Sequence, residues 1–302
     1  MTERLRFITA DVFTTAAFGG NPLAVVLDGR GLSDAQMQAV AREFNLSETT
    51  FILPPKNSAH TAQVRIFTPA VEIPFAGHPT VGTAWVMAAQ GMIPRGEDTR
   101  IVFEENVGPV PVSVRWSADQ PSFAQFTTAM VPEELPAPPA RTELAAMLGL
   151  ETAEVSAVGA PPMALTCGTP YTCVPLVSTA AVSRAQLDLV RWRATLAAQA
   201  AHKVFVFAQT DANSLYARMF APGEGVAEDP ATGSAACAVA GWLAREHNLT
   251  QGMRRWTIRQ GVDMGRPSEI FIEVEAGQGR ITAVRCGGTA VLISEGNIRR
   301  PG

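Results

Sequence analysis

The sequence predicts an α+β protein made of two pseudo-symmetric copies of one domain, each a strongly curved mixed β-sheet rolled around a central buried α-helix. Three observations carry that expectation. The 302-residue chain is 47% apolar and 17% charged, a composition that folds around a core, and at this length one core gives way to two. The chain also repeats itself at half its length. Gly20-Asn21-Pro22 lies over Gly168-Thr169-Pro170, Ser33-Asp34-Ala35-Gln36 over Ser183-Arg184-Ala185-Gln186, and Arg65-Ile66-Phe67-Thr68-Pro69 over Arg218-Met219-Phe220-Ala221-Pro222. His78-Pro79-Thr80-Val81-Gly82-Thr83-Ala84 then lies over Asp229-Pro230-Ala231-Thr232-Gly233-Ser234-Ala235, in the same order and at nearly the same spacing. Finally, each half holds one helix that is apolar all round, which places it inside rather than on a surface.

The elements follow in order. Phe7 to Val12 reads as a strand, the Gly19-Gly20-Asn21-Pro22 turn follows, and Leu23 to Leu27 is an apolar strand. Ser33 opens a helix with Gln36 as its capping-box partner, and Met37, Val40, Ala41 and Phe44 form its apolar face. Strands at Thr50 to Leu53 and Gln63 to Phe67 lead to the first buried helix, Thr80 to Gln90, where Val81, Ala84, Trp85, Val86 and Met87 cover every side. Strands then fit Arg100 to Phe103 and Val110 to Arg115, and Pro132 to Pro139 reads as the connecting segment. The second copy offers Val174 to Val177, a helix at Ser183, strands at Val204 to Phe207 and Leu215 to Phe220, and a buried helix from Ala231 to Arg245. Arg255 to Arg259 and Glu269 to Glu275 complete it. The domains are expected at residues 1–125 and 126–302, with 287–302 folding back onto the first.

Composition also excludes. With 24 basic and 28 acidic residues the formal charge is −4, without the basic excess of a nucleic-acid binder. Cys167, Cys173, Cys237 and Cys286 form no C-x-x-C pair, which argues against a disulfide framework and a structural zinc site. His60, His78, His202 and His247 lack metal-ligand spacing, so no metal is expected. Neither dinucleotide nor P-loop glycine pattern is present. Met1 to Arg6 runs into a strand without a basic-then-apolar leader, and Ala231 to Ala244 is too short for roughly 30 Å of hydrocarbon. The expectation is a cytoplasmic protein that binds neither membrane nor nucleic acid.

The chemistry concentrates at the starts of the two buried helices. Gly77-His78-Pro79 and Glu228-Asp229-Pro230 put His78 and Asp229 near an N-cap with proline as the first helical residue. A helix start exposes free N–H groups and about half a positive charge, so it attracts an anion. If the two helix starts meet at one cleft, a small carboxylate fits there, with Ser234 one turn in as a hydroxyl donor. The competing reading makes Asp229 a plain N-cap and His78 a satisfied polar residue. Glu48, in Asn45-Leu46-Ser47-Glu48-Thr49-Thr50-Phe51, precedes an apolar strand, where desolvation raises a carboxyl pKa toward the range useful for proton transfer. The matching stretch, Ala194 to Gln209, contains no Asp or Glu, which favours a functional Glu48 over a solvated helix-end glutamate.

The same residues carry a resemblance. Gly20-Asn21-Pro22-Leu23-Ala24-Val25, Asn45 to Phe51, Phe75-Ala76-Gly77-His78-Pro79-Thr80 and Glu228 to Ala235 resemble the motif set of the phenazine-biosynthesis isomerase (PhzF-like) family, within the diaminopimelate-epimerase fold group. The resemblance covers essentially the whole chain. It implies two related domains with an active site between them, a homodimer, and catalysis without cofactor or metal. It makes Glu48 the acid/base that moves a proton between carbons, and His78 and Asp229 its catalytic partners. Gly77, Gly233 and Ser234 become substrate-binding residues.

The epimerase branch of the fold group uses a cysteine before each central helix. Here those positions fall at about Ala76 and Asp229. Two-thiol racemisation is therefore disfavoured, and one dominant base suits a 1,3-proton shift, a double-bond isomerisation of a small carboxylic acid. The alternatives are an epimerase or racemase of a small amino or hydroxy acid, with Asp229 as second acid, or a metabolite-binding protein without catalysis.

Overall fold

The structure is a computed structural model that describes residues 4–302. The residues before Arg4, on which the leader expectation partly rests, lie outside the described residues. The chain divides into two units. One takes the residues up to Ala129 together with Gly287–Gly302, and the other takes Met130–Cys286.

In the first unit, strands Ala290–Arg299, Arg4–Val12, Asn21–Val26, Glu48–Leu53, Ala62–Phe67, Asp98–Glu105, Gly108–Ser117 and Gln120–Thr127 neighbour one another in that order. From Arg4–Val12 to Gly108–Ser117 the pairings run antiparallel, parallel, antiparallel, parallel, antiparallel. Each parallel pairing needs a crossover, supplied by helices Asp34–Phe44 and Gly77–Ala89. The first helix starts as its sequence dictates: Ser33 Oγ accepts from Gln36 N, and Gln36 Oε1 accepts from Ser33 N.

The second helix is the centre of the unit. Every residue from Gly77 to Ala88 is buried. It packs against Arg4–Val12, Asn21–Val26, Gly108–Ser117 and Gln120–Thr127, strands from both ends of the sheet, so the sheet rolls around it. Such wrapping needs small residues on the helix. A Cβ at Gly82 would lie 2.5 Å from Leu23 Cδ2 and 2.6 Å from Val12 Cγ2, so only glycine lets these strands approach.

The second unit repeats the plan. Met163–Thr166, Pro170–Pro175, Val204–Asp211, Ser214–Ala221, Gly252–Gln260 and Ser268–Gly277 pair antiparallel, parallel, antiparallel, parallel, antiparallel. The crossovers are the short helices Thr179–Arg184 and Leu189–Thr195, then the central helix Gly233–Glu246. The fold class is thus α+β, with a mixed sheet around one buried helix in each unit. Strand Arg280–Gly288 follows, its last two residues belonging to the first unit.

Three local expectations are corrected. Ser183 does not open a helix; it lies near the end of Thr179–Arg184, because Ser178 accepts from Ala181 N and caps it earlier. The first central helix starts at Gly77, with Ala76 at its N-cap, so Pro79 is its third residue. A proline there still sits in the first turn, where N–H groups have no intrahelical partner. The second starts at Gly233 with Thr232 at its N-cap, which leaves Pro230 outside it and Asp229 at the end of strand Val226–Asp229.

Because the two ladders alternate alike, residues match by register. Leu23 faces Glu48 in the first unit, as Thr172 faces Val204 one step along in the second. Phe51 faces Arg65 as Val206 faces Arg218. Carried through, Leu23 matches Tyr171, Glu48 matches Lys203, Arg65 matches Arg218, and Glu105 matches Gln260.

Candidate functional site

Glu48 and His78 come together in the first unit. Asn45 ends helix Asp34–Phe44 in the left-handed region, at φ 51°, a conformation Asn tolerates. The reversal delivers Glu48 as the first residue of its strand. His78 is the second residue of the central helix. Its Nε2 lies 3.0 Å from Glu48 Oε2, with side chains only 5% and 16% exposed. The two atoms are at contact distance without the in-line geometry of a hydrogen bond.

Burial pushes the His78 imidazole down to about 3. A carboxylate at 3.0 Å opposes that shift, but a ring this deep loses more from desolvation, so it is neutral at pH 7. A neutral imidazole beside the carboxyl offers one N–H donor and one acceptor nitrogen.

A second buried carboxyl, which motif reading missed, lies at the foot of the same helix. Glu105 ends its strand fully buried, and its Oε1 is 2.7 Å from Thr80 Oγ1. Burial lifts its pKa to about 8, only partly offset by the Thr80 hydroxyl. Thr80 Oγ1 also donates to the carbonyl of the N-cap residue, Ala76, at 2.8 Å. Strand end and helix start are tied together there.

The second unit places Asp229, Thr232, Gly233 and Ser234 around the other helix start. Arg218 holds the approach: Nε and Nη2 each donate at 2.8 Å to Glu228, the residue before Asp229. Arg65 holds Glu72 in the same bidentate way in the first unit, at 2.7 and 2.6 Å. Gln260 Nε2 donates to the Asp229 carbonyl and to Thr232 Oγ1, at 2.7 and 3.0 Å. Thr232 in turn donates to Asp229 Oδ2 at 2.5 Å. The chain Gln260–Thr232–Asp229 thus presents Asp229 as an acceptor. Ser234, the second residue of its helix, shares a 2.6 Å hydrogen bond with Tyr171.

By helix position, then, the partner of His78 is Ser234, and Asp229 stands four residues before its helix. The expectation of His78 and Asp229 at matched helix positions is corrected accordingly. Thr232 does not cap its helix because its hydroxyl goes to Asp229, and Ala76 has no side chain that caps. Neither central helix carries an acid in its first turn, whereas helix Asp34–Phe44 has both cap and acid. Uncapped helix starts without acids retain their affinity for an anion.

Among the described residues no group of three or more His, Cys, Asp or Glu side chains is arranged to hold a metal, and no helix is long and apolar enough to cross a membrane. Tyr171, Lys203, Glu105 and Gln260 were not singled out by motif. The signal that finds them is the strand register of the repeat.

Comparison with known proteins finds one family and one fold. A family model described as phenazine biosynthesis-like protein matches residues 10–296. An uncharacterized isomerase of Mesorhizobium japonicum is 41% identical, covering 97% of this chain and 98% of its own. The trans-2,3-dihydro-3-hydroxyanthranilate isomerase of Pseudomonas aeruginosa is 35% identical over 96% and 98%. The crystal structure of a PhzF-family phenazine biosynthesis protein from Bacillus anthracis shares the fold with a TM-score of 0.87 at 22% identity, covering 98% of this chain and 99% of that one.

Proposed function

The chain belongs to the phenazine biosynthesis-like protein family, whose named relatives are isomerases, and from that premise we propose that it isomerises a small carboxylic acid by moving a proton between two of its carbons. The chain is an isomerase of this family; the finer reading is the proton shift, its substrate class and its residues. The Glu48–His78 pair is the observation that carries it.

Glu48, as carboxylate, removes a proton from a carbon next to an unsaturated or carbonyl carbon. The electron pair left behind moves along the conjugated system, and the Glu48 carboxylic acid returns the proton to the other end. Nothing is oxidised, reduced or transferred, so the step balances. Neutral His78, its Nε2 3.0 Å from Glu48 Oε2, orients the Glu48 carboxyl. Ser234 and the backbone N–H of Gly233 hold a carboxylate in the second unit, where Asp229, fixed as an acceptor through Thr232, orients a substrate N–H or O–H, and the Gly77 N–H is a substrate donor in the first. The register supports Glu48 further: the equivalent position in the other copy is Lys203, so the acid is not demanded by the fold.

The test uses a panel of unsaturated amino and hydroxy acids, including trans-2,3-dihydro-3-hydroxyanthranilate, incubated in deuterium oxide. The wild-type protein incorporates label into at least one acid. Since a general acid/base contributes roughly 10²–10⁴-fold, Glu48→Gln retains fold and binding and loses exchange by about that factor. Undiminished exchange in the variant removes Glu48 from the mechanism. A product of inverted configuration assigns epimerisation instead, and thermal stabilisation by an acid without exchange assigns binding alone.

A further inference from the structure

The hydroxyl of Ser234 has one proton and two neighbours competing for it: whatever it binds, and the phenol of Tyr171 at 2.6 Å. Tyr171 is 2% exposed. It follows Gly168-Thr169-Pro170 on strand Pro170–Pro175, and its backbone pairs with Leu165. Its register counterpart in the first unit is Leu23, an apolar residue packed against the central helix beside Gly82. A leucine there would fill the same space. The second copy instead buries a hydroxyl and directs it at Ser234, and a buried polar atom introduced into an apolar position costs stability unless it is bonded.

We propose that Tyr171 is a positioning residue: its phenol donates to Ser234 Oγ and thereby commits the Ser234 proton to a bound carboxylate. The phenol has a proton to give: burial raises its pKa, the Ser234 bond lowers it, and Glu224, Asp229 and Cys237 raise it again, so it stays protonated. Lys203, the register counterpart of Glu48, lies with Nζ 5.5 Å from the Tyr171 ring centroid and pairs with Glu224 at 2.5 Å. The ring is clamped between its strand and that ammonium. With Tyr171 as donor, Ser234 Oγ is satisfied as acceptor, and its own O–H has no competing use. A serine so oriented discriminates an anion from a neutral acceptor more sharply than one free to rotate.

This inference rests on the proposed role of Ser234 in holding the substrate carboxylate. The test measures calorimetric dissociation constants for 3-hydroxyanthranilate, a stable aromatic acid, and for its carboxamide, which lacks the charge. The wild-type protein binds the acid more tightly than the amide. Tyr171→Phe, which removes only the hydroxyl, weakens acid binding about tenfold, the worth of one oriented hydrogen bond, and leaves amide binding within twofold. Ser234→Ala does the same, and the double variant loses no more than Ser234→Ala alone.

Tyr171→Phe binding the acid like wild type overturns the positioning role while leaving Ser234 in place. Losses that multiply in the double variant overturn it too, because the two hydroxyls then act independently. Equal losses for acid and amide would mark a structural effect and also overturn it. A wild-type protein that fails to prefer the acid over the amide refutes the carboxylate role of Ser234, and the Tyr171 inference with it.

Discussion

Glu105→Gln is expected to remove the alkaline limb of the protein's stability curve, and the reason lies in one threonine hydroxyl. Thr80 Oγ1 has a single proton and lies 2.8 Å from the Ala76 carbonyl and 2.7 Å from Glu105 Oε1. Thr80 donates to both, so its one proton is divided between the Ala76 carbonyl and the Glu105 carboxyl, and an ionised Glu105 would hold only a share of it. Burial agrees, lifting its pKa to about 8. The second copy offers independent support: its register counterpart, Gln260, donates from Nε2 to Thr232 Oγ1 at 3.0 Å. The buried side chain at that place is neutral there, as Glu105 is here below its raised pKa.

The pH dependence follows from linkage. An acid with an unfolded pKa near 4.5 and a folded value of about 8 holds its proton only in the native state between those limits. Its stabilisation is full below pH 4.5 and falls by about 1.4 kcal/mol per unit as pH rises toward 8. His78 runs the other way. Its folded pKa of about 3 lies below the unfolded 6.5, so its stabilisation is full above 6.5 and lost as pH falls toward 3.

The two slopes oppose each other between pH 4.5 and 6.5, where the lowered pKa of His247 adds to the His78 side, and above 6.5 only the Glu105 slope survives. Wild-type stability should therefore hold or rise slightly from pH 5 to 6.5 and drop by about 2 kcal/mol by pH 8, read from urea unfolding. In Glu105→Gln the drop disappears, and stability rises by about 2–3 kcal/mol from pH 4.5 to 6.5 because His78 is no longer offset. A wild-type curve level to pH 8, or a variant that keeps the drop, refutes the protonated Glu105.

Two further substitutions test the packing of the same helix. Gly82→Ala forces a methyl to within 2.5 Å of Leu23 and 2.6 Å of Val12 and should cost about 1–3 kcal/mol of stability by chemical denaturation, as overpacking does. Thr83→Val breaks the buried 2.8 Å hydroxyl pair with Thr50 and should cost about 1–3 kcal/mol, whereas adding Thr50→Val should recover part of that loss, since no orphaned hydroxyl remains.

What the sequence made legible was either local or repeated. Ser33 and Gln36 announced a helix start because both partners of the capping box lie within one turn. The motifs at Gly77 and Asp229 announced two helix starts because they recur, and Glu48 stood out because its counterpart stretch lacks an acid. The helix boundaries slipped for a physical reason. Proline is tolerated throughout a first turn, so Pro79 could not fix which residue comes first. Pro230 was kept out of its helix by bonds made far away in sequence, Arg218 to Glu228 and Gln260 to the Asp229 carbonyl. At Ser183 the repeat itself misled, since a serine five residues earlier took the cap.

The residues that escaped notice share one property: their meaning depends on which strand they face. Tyr171, Lys203, Glu105 and Gln260 carry no motif, yet the register makes each the counterpart of a residue of different chemistry. One frame, used twice, has been loaded differently. In the first unit the strand position beside the central helix start bears Glu48 against a neutral imidazole, a pair suited to moving a proton. In the second the same position bears Lys203, whose charge is met by Glu224 and not by an acid at the helix start. A glutamate at that place would set a negative charge against the Tyr171 ring and beside Glu224, on the side of the helix start where Ser234 meets Tyr171. Under the proposed function this difference is what duplication permits: the backbone that positions a base in one copy positions an anion's hydrogen-bond donors in the other, and each copy is spared the charge that would defeat it.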